Sequence, residues 1–208
     1  MLTKAVFNVE NCARVDFLGN SFYAQSGVRK SDLVSVFASA DGAEGFLQNR
    51  RVVVADWQWD RTNPFVIEVE VTTECVDGYG HVSNHHFLRW MTECAFAHSD
   101  AVGLPASTCR EMRRGMAVRD ISVHLSGSAY KGDRLEVANW ISKSDGRLRA
   151  SRQFQIVNVA SGKTLARGEV DFVCTNLDNG RPVKMPAIFA ATYVVQSSPI
   201  DSSAEGIH

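Results

Sequence analysis

The sequence of 208 residues lacks any long apolar run, and nothing in it approaches the roughly 18 apolar residues that a membrane-spanning helix needs. Its first residues also lack the apolar segment of a secretory leader. Neither sign of charge is in excess, because 22 lysines and arginines stand against 23 acidic residues. This balance disfavours general binding to nucleic acids or to anionic membranes. We therefore expect a cytoplasmic protein with neither a nucleic acid nor a membrane as its partner.

Cysteine is scarce and scattered. The five cysteines are an odd number without any C-x-x-C spacing, which fits neither a disulfide framework nor a thiolate zinc site. The sequence contains neither the G-x-S-x-G turn of serine hydrolases nor a phosphate-binding G-x-x-x-x-G-K-[ST] loop. His81 and His85 have the spacing of zinc ligands on one helix face, but His81 precedes the predicted helix. We expect neither a metal nor a cofactor.

The patterns divide the chain into three parts. Residues 1–62 are predicted to form an N-terminal extension of unknown role, with a strand at 4–9, helical patterns within 31–47 and a strand at 51–59. Residues 63–186 are predicted to form the main domain. Residues 187–208 are predicted to form a C-terminal tail that frays, because the apolar content falls towards the end of the chain.

The main domain is predicted to have an α+β fold. Alternation of apolar and acidic residues indicates a strand over 65–71, and helical spacing indicates a helix from Ser83 or Asn84 to about residue 102, where Gly103 ends it. Four more strands follow, separated by short turns, at 116–125, 134–142, 148–159 and 164–175. Tight turns force antiparallel neighbours. We therefore expect one long helix in the concavity of a curved antiparallel sheet.

A candidate active site lies at the entrance to this helix. Asp77 stands seven residues ahead of Asn84, and Gly78 and Gly80 allow a tight loop between them. The N–H groups of a first helical turn have no partner within the helix and favour a developing negative charge. A carboxylate beside such donors has the two parts that acyl transfer needs. Turn chemistry alone also explains an aspartate here.

The segment Asp77-Gly-Tyr-Gly-His-Val-Ser-Asn-His-His-Phe-Leu-Arg-Trp90 resembles a known signature. This signature is D-x-x-G-H-V-N-N-x-x-Y-L-R-W, of the hot-dog-fold acyl-CoA thioesterases in the 4-hydroxybenzoyl-CoA thioesterase-like family. The similarity continues at residues 130–133 and 180–186. Three positions depart from the pattern of many relatives, with Cys75 in place of an acid, Ser83 in place of asparagine and Phe87 in place of tyrosine.

The resemblance implies hydrolysis of an acyl-CoA to a carboxylic acid and free CoA, in a homodimer or a dimer of dimers. It assigns Asp77 as nucleophile or general base and the Asn84 backbone amide as donor to the thioester oxygen. The residues it implies for substrate binding are Gly80, His81, Lys143, Arg147 and Arg149, of which the last three match a basic hairpin that contacts CoA phosphates. Two alternatives stay open, a non-catalytic hot-dog module that binds acyl groups or a partner, and an acyl-carrier-protein thioesterase.

Overall fold

The computed structural model describes the backbone of residues 12–17 and 20–25, together with residues 57–195 and 197–199. The chain separates into two compact units, Met1–Gln58 and Trp59–His208. In the first unit, strands β1 (Cys12–Phe17) and β2 (Asn20–Gln25) pair as an antiparallel hairpin. The elements predicted at 4–9 and 31–47, and most of the strand predicted at 51–59, lie outside the described residues. The domain bounds at residues 62 and 186 stay a prediction.

The second unit is built from five strands and three α-helices within the described residues. Their bounds are β3 (Phe65–Glu70), α1 (Asn84–Ala101), α2 (Ala106–Glu111), β4 (Arg114–Leu125), β5 (Arg134–Ser144), β6 (Arg149–Asn158), β7 (Thr164–Asn176) and α3 (Ala187–Thr192). The strands form one sheet in the order β3-β5-β6-β7-β4, and every neighbouring pair is antiparallel. The α+β prediction is confirmed, and each of its five strands lies within two residues of the predicted bounds.

The long helix begins and ends at the residues that its sequence indicated. Ser83 occupies the N-cap position with an extended backbone, and Asn84 is the first helical residue. At the other end, Gly103 adopts a φ of +83°, and the Leu104 N–H donates to the Ser99 carbonyl at 2.8 Å. The left-handed glycine ends the helix because it turns the chain so that the Leu104 N–H satisfies a carbonyl of the last turn. None of the helices in the described residues combines the length and apolar character that crossing a membrane requires.

The core lies between α1 and one face of the sheet. The helix contributes Phe87, Trp90, Met91 and Cys94, and the facing strands contribute Leu135, Val137, Phe154, Ile156, Ala166 and Val170. The Cys94 thiol donates to the Val137 carbonyl at 3.3 Å, and burial raises the pKa of Cys94 to about 12. The thiol is therefore neutral and serves as a packing group.

A second apolar cluster closes the opposite end of the sheet. It combines strand residues with the segment after β7, and its buried members are Leu104, Ile141, Ala150, Cys174, Met185, Phe189 and Tyr193. Phe189 belongs to α3 and Tyr193 follows it directly. The fraying predicted from residue 187 onward is therefore wrong for residues 187–193, because these two aromatic side chains are buried in the cluster.

Close approach of the helix to the sheet depends on Gly168 of β7. A Cβ added at this position would lie 2.6 Å from Sδ of Met91, which is itself buried. We expect Gly168→Ala to lower the free energy of unfolding by about 1–3 kcal/mol, the usual cost of overpacking a core. Urea denaturation of the single variant, of Met91→Ala and of the double variant measures the effect and its coupling. An unchanged stability of Gly168→Ala would contradict this packing.

Candidate active site at the start of the long helix

The loop before α1 is a closed turn. The Asp77 N–H donates to the His81 carbonyl at 2.8 Å, and the Gly80 N–H donates to the Asp77 carbonyl at 3.0 Å. Val76 and Val82 form an isolated antiparallel bridge on either side. Gly80 has a φ of +82°, a conformation that glycine adopts at little cost. These bonds fix the position of Asp77 relative to the helix that follows.

The two oxygens of the Asp77 carboxylate differ in their contacts. Its Oδ1 accepts a hydrogen bond from the Tyr79 N–H at 2.8 Å, which is the turn interaction expected of an ordinary aspartate. Within the described part of the chain, no hydrogen bond engages Oδ2. The carboxylate is exposed and lines a cavity of about 390 Å³. The turn thus holds the side chain by one oxygen and leaves the other oxygen available.

Asn84 lines the same cavity as Asp77. As the first helical residue, it has a backbone N–H with no acceptor within the helix. Ser83 makes no side-chain cap hydrogen bond, so its hydroxyl does not take up the donors of the first turn. The positive end of the helix dipole adds to the attraction for a negative oxygen at this point.

The remaining cavity wall was not predicted from the sequence. It includes Phe87 of α1, the last residue of the edge strand β4, Leu125, and the three residues that follow this strand, Ser126, Gly127 and Ser128. The Val82 N–H donates to the Ala129 carbonyl at 2.9 Å, which joins this segment to the Asp77 loop. Sequence reading identified the loop because it is local, whereas the second wall is brought in by sheet pairing.

The histidines of the motif lie in different environments. His81 is exposed, lines the cavity and meets the Tyr130 ring edge-on at 5.1 Å between centroids. His86 is buried, and its burial, together with the neighbouring His85 and Arg89, lowers its pKa. His86 is therefore neutral near pH 7. Among the described residues, no three His, Cys, Asp or Glu side chains are grouped so that they could hold a metal ion.

The predicted phosphate-binding residues lie elsewhere. Lys143, Arg147 and Arg149 are exposed at the β5–β6 hairpin. Lys143 donates to Glu169 at 2.7 Å, which raises its pKa. The Asp77 loop lies at the other end of β5, so about eight residues of strand, or roughly 27 Å, separate the hairpin from that end of the sheet. One chain brings together Asp77, Gly80, His81 and Asn84, but not the basic hairpin.

The hairpin itself is held by a turn aspartate. Oδ1 of Asp145 accepts hydrogen bonds from the backbone N–H groups of Arg147, Leu148 and Arg149, at 2.8, 2.7 and 2.9 Å. These donors lower the pKa of Asp145. The turn therefore presents its basic side chains on a fixed backbone.

A second cavity begins one helical turn beyond Asn84. It has a volume of about 310 Å³ and runs along the face of α1 that carries Leu88, Met91 and Ala95. Side chains of β4 and β7 face the helix across it. Most of its wall is apolar, but the lining also includes Thr92, Ser99, Arg110, Arg152 and Tyr193. Arg152 lies only three residues beyond Arg149 of the basic hairpin, but it alternates in step with Phe154 and Ile156.

A family model for the thioesterase-like superfamily matches residues 71–192, which is more than half of the chain. This range includes the Asp77 loop, the cavity that Asp77 lines and α3. No curated protein sequence matches the chain.

Solved structures similar to this chain include several thioesterases. A 1,4-dihydroxy-2-naphthoyl-CoA thioesterase from Synechocystis is 22% identical, with a TM-score of 0.58 over 63% of this chain and 96% of that one. A hypothetical protein from Staphylococcus aureus in complex with CoA is 16% identical, with a TM-score of 0.59 over 62% and 81%. A putative oleoyl thioesterase from Lactobacillus plantarum is 20% identical, with a TM-score of 0.59 over 63% and 50%. The likeness confirms the predicted hot-dog fold.

The two loop glycines provide a matched test of the Asp77 turn. Gly80 has a positive φ, whereas Gly78 does not, and an added Cβ would meet no atom within 4 Å at either position. We expect Gly80→Ala to lower the free energy of unfolding by about 1–2 kcal/mol, because an L-residue is strained in the left-handed region. Gly78→Ala should cost less. Equal stabilities of the two variants in urea denaturation would show that the loop conformation is wrong.

Proposed function

The chain belongs to the thioesterase-like superfamily and is thus a thioester hydrolase, and from this premise we propose that it cleaves an acyl-CoA with water into a carboxylic acid and free CoA. One observation carries the proposal. The Asp77 carboxylate and the helix residue Asn84, whose N–H has no acceptor within the helix, line the same cavity.

The proposed chemistry uses both groups on one carbonyl. The Asp77 carboxylate either attacks the thioester carbonyl carbon, forming an anhydride that water then hydrolyses, or takes a proton from a water that attacks the same carbon. In both routes the carbonyl oxygen becomes negative and accepts a hydrogen bond from the Asn84 N–H. The C–S bond then breaks and the CoA thiolate leaves, taking up a proton. The unengaged Oδ2 of Asp77 supports either role.

We also propose that two copies pair along β4. This strand is an edge of the sheet, and edges with unpaired backbone groups are covered in stable proteins. Its exposed apolar side chains include Val118, Ile121 and Leu125. An antiparallel pairing of the whole strand places a two-fold axis between Arg119 and Asp120, at the centre of Arg114–Leu125.

This pairing supports a role for the basic hairpin. A two-fold axis perpendicular to the sheet exchanges the two ends of β4. The hairpin end of a second copy then lies at the same end of the joined sheet as Asp77 of the first copy. We propose that the CoA phosphates bind there, to Lys143, Arg147 and Arg149 as presented by the second copy, while the acyl carbonyl reaches Asp77.

Replacing the carboxylate tests the catalytic assignment. Asp77→Asn keeps an oxygen for the turn but removes the charge and the nucleophile, so we expect kcat to fall about 10²-fold or more on the best substrate. A panel of acyl-CoA thioesters with a free-thiol readout measures it. Asp133→Asn is the matched control, because Asp133 is also a turn aspartate, with Oδ2 accepting from the Tyr130 N–H at 2.9 Å.

Three outcomes of the panel would change the assignment. A folded Asp77→Asn protein that keeps most of its hydrolysis would remove Asp77 from the mechanism. Tight binding of acyl-CoA by the wild-type chain without thiol release would favour a non-catalytic acyl-binding module. Faster turnover of the same acyl group on an acyl carrier protein than on CoA would identify the carrier as the substrate.

A charge reversal at the proposed two-fold axis tests the dimer. Arg119 and Asp120 are exposed and pair with each other at 3.2 Å. We expect Asp120→Arg to raise the dimer dissociation constant by about tenfold or more, because like charges then face each other across β4. Size exclusion with light scattering measures this. The double variant Arg119→Asp/Asp120→Arg restores opposite charges and should restore the dimer. A wild-type chain that stays monomeric would refute the pairing.

A further inference from the structure

The core of the second unit contains a buried positive charge. Arg152 lies on β6 with 2% of its surface exposed, on the face that also carries Phe154 and Ile156. Its Nη1 lies 3.0 Å from Nδ1 of His98, and its Nη2 donates to Oγ of Ser99 at 3.0 Å. No aspartate or glutamate pairs with it among the described residues. Arginine is almost never fully buried unless it is paired.

The partners of Arg152 are neutral. A guanidinium has donors only, so Nδ1 of His98 must accept the hydrogen bond and carries no proton. The Asn139 side-chain nitrogen lies 3.0 Å from the same Nδ1. Burial, together with the charge of Arg152, lowers the pKa of His98 to about 4. The guanidinium carbon lies 5.5 Å from the centroid of the Tyr193 ring, which stabilises the cation without neutralising it.

This charge faces the cavity along α1. Arg152, Ser99 and Tyr193 line it, and the Ser99 and Tyr193 hydroxyl oxygens are 3.5 Å apart. The hydrogen bonds to His98 and Ser99 use two of the five guanidinium N–H donors, and the Tyr193 side chain contacts the same guanidinium. Most of the remaining wall is apolar, with Met91 and Phe172 among its residues, although Thr92 and the exposed Arg110 also line the cavity. The cavity therefore combines an apolar length with a cationic, hydrogen-bonding end.

We propose that this cavity binds an acyl group that carries a carboxylate at its far end, and that Arg152 determines this specificity. A carboxylate matches the fork of a guanidinium with two parallel hydrogen bonds, and it supplies the negative charge that the described residues do not. The inference rests on the proposed thioesterase function, because it requires the thioester carbonyl to lie at Asn84.

The length of the helix sets the size of the acyl group. Asn84 and Ser99 are fifteen residues apart, which corresponds to roughly 22 Å along the axis of α1. An acyl group with its thioester at Asn84 and its carboxylate near Ser99 therefore has a long chain. The substrate class is the mono-CoA thioester of a long-chain dicarboxylic acid.

Two substrates of equal length test the proposal. Hexadecanedioyl-CoA and palmitoyl-CoA differ only in a terminal carboxylate in place of a methyl group. We expect the wild-type protein to have a kcat/KM about 10- to 100-fold higher for hexadecanedioyl-CoA, the range of a charged hydrogen bond. We expect Arg152→Gln to abolish this preference mainly by lowering kcat/KM for hexadecanedioyl-CoA. Arg152→Lys should recover only part of it, because it lacks the planar fork.

The ratio of the two substrates separates specificity from stability. A merely structural arginine would change the melting temperature and reduce both activities equally, and that result would overturn the proposal. Equal or faster turnover of palmitoyl-CoA by the wild-type protein would overturn it as well. If Arg152→Gln does not fold, Ser99→Ala takes its place, since it keeps the charge and removes one of its neighbours at the carboxylate. We expect Ser99→Ala to reduce the preference, and an unchanged ratio would count against the site.

Failure of the proposed thioesterase function would give a different result from failure of the carboxylate site. If the wild-type protein hydrolyses neither thioester, free hexadecanedioate and palmitate are compared by thermal shift. A larger rise in melting temperature with hexadecanedioate, lost in Arg152→Gln, would support the carboxylate site without the thioesterase assignment. An equal rise with both acids, or none, would overturn the site.

Discussion

Packing of α1 against the sheet is the interaction on which the other features depend. The apolar stripe of the helix meets the inner face of the sheet, and Gly168 lets Met91 approach β7 closely. This contact fixes both ends of the helix at once. Its first residue lies at the cavity shared with Asp77, and its last turns lie over Arg152. An apolar contact that takes no part in catalysis or binding therefore positions both the Asp77 cavity and Arg152.

Much of this architecture could be predicted from the sequence because it is encoded locally. The strand over Phe65–Glu70 alternates apolar and acidic residues, and the turns between β5, β6 and β7 are short, so these strands pair in antiparallel fashion. Helices α2 and α3 were not predicted. Each has six residues, fewer than two turns, so neither can display a helical period. Phe189 is buried because it packs into the second apolar cluster, whose members come from distant segments of the chain.

In the candidate site, too, the residues that are close in sequence could be predicted, whereas the residues placed by strand order could not. Asp77 and Asn84 stand within eight residues of each other, so a motif sufficed to link them. The place of Arg147 was harder to predict, because it depends on strand order, and strand order decides which end of the sheet a hairpin occupies. Arg152 was hidden by its neighbours, since a basic residue three positions from Arg149 looks like part of one exposed group. Only its alternation with Phe154 and Ile156 marked it as buried.

The buried arginine has an energetic consequence that its hydrogen bonds do not remove. Replacing buried ionic groups with apolar side chains of similar volume is often neutral or stabilising, so Arg152 is weak evidence for stability. The same low dielectric that makes the charge costly strengthens its attraction for an anion, because little water competes there. A neutral His98 is part of this arrangement. Protonating it would place a second positive charge 3.0 Å from Nη1 of Arg152, which explains why the cation lowers its pKa. The unpaired charge of Arg152 therefore fits a role in ligand binding better than a role in stability, and the groups that hold the guanidinium in place stay neutral.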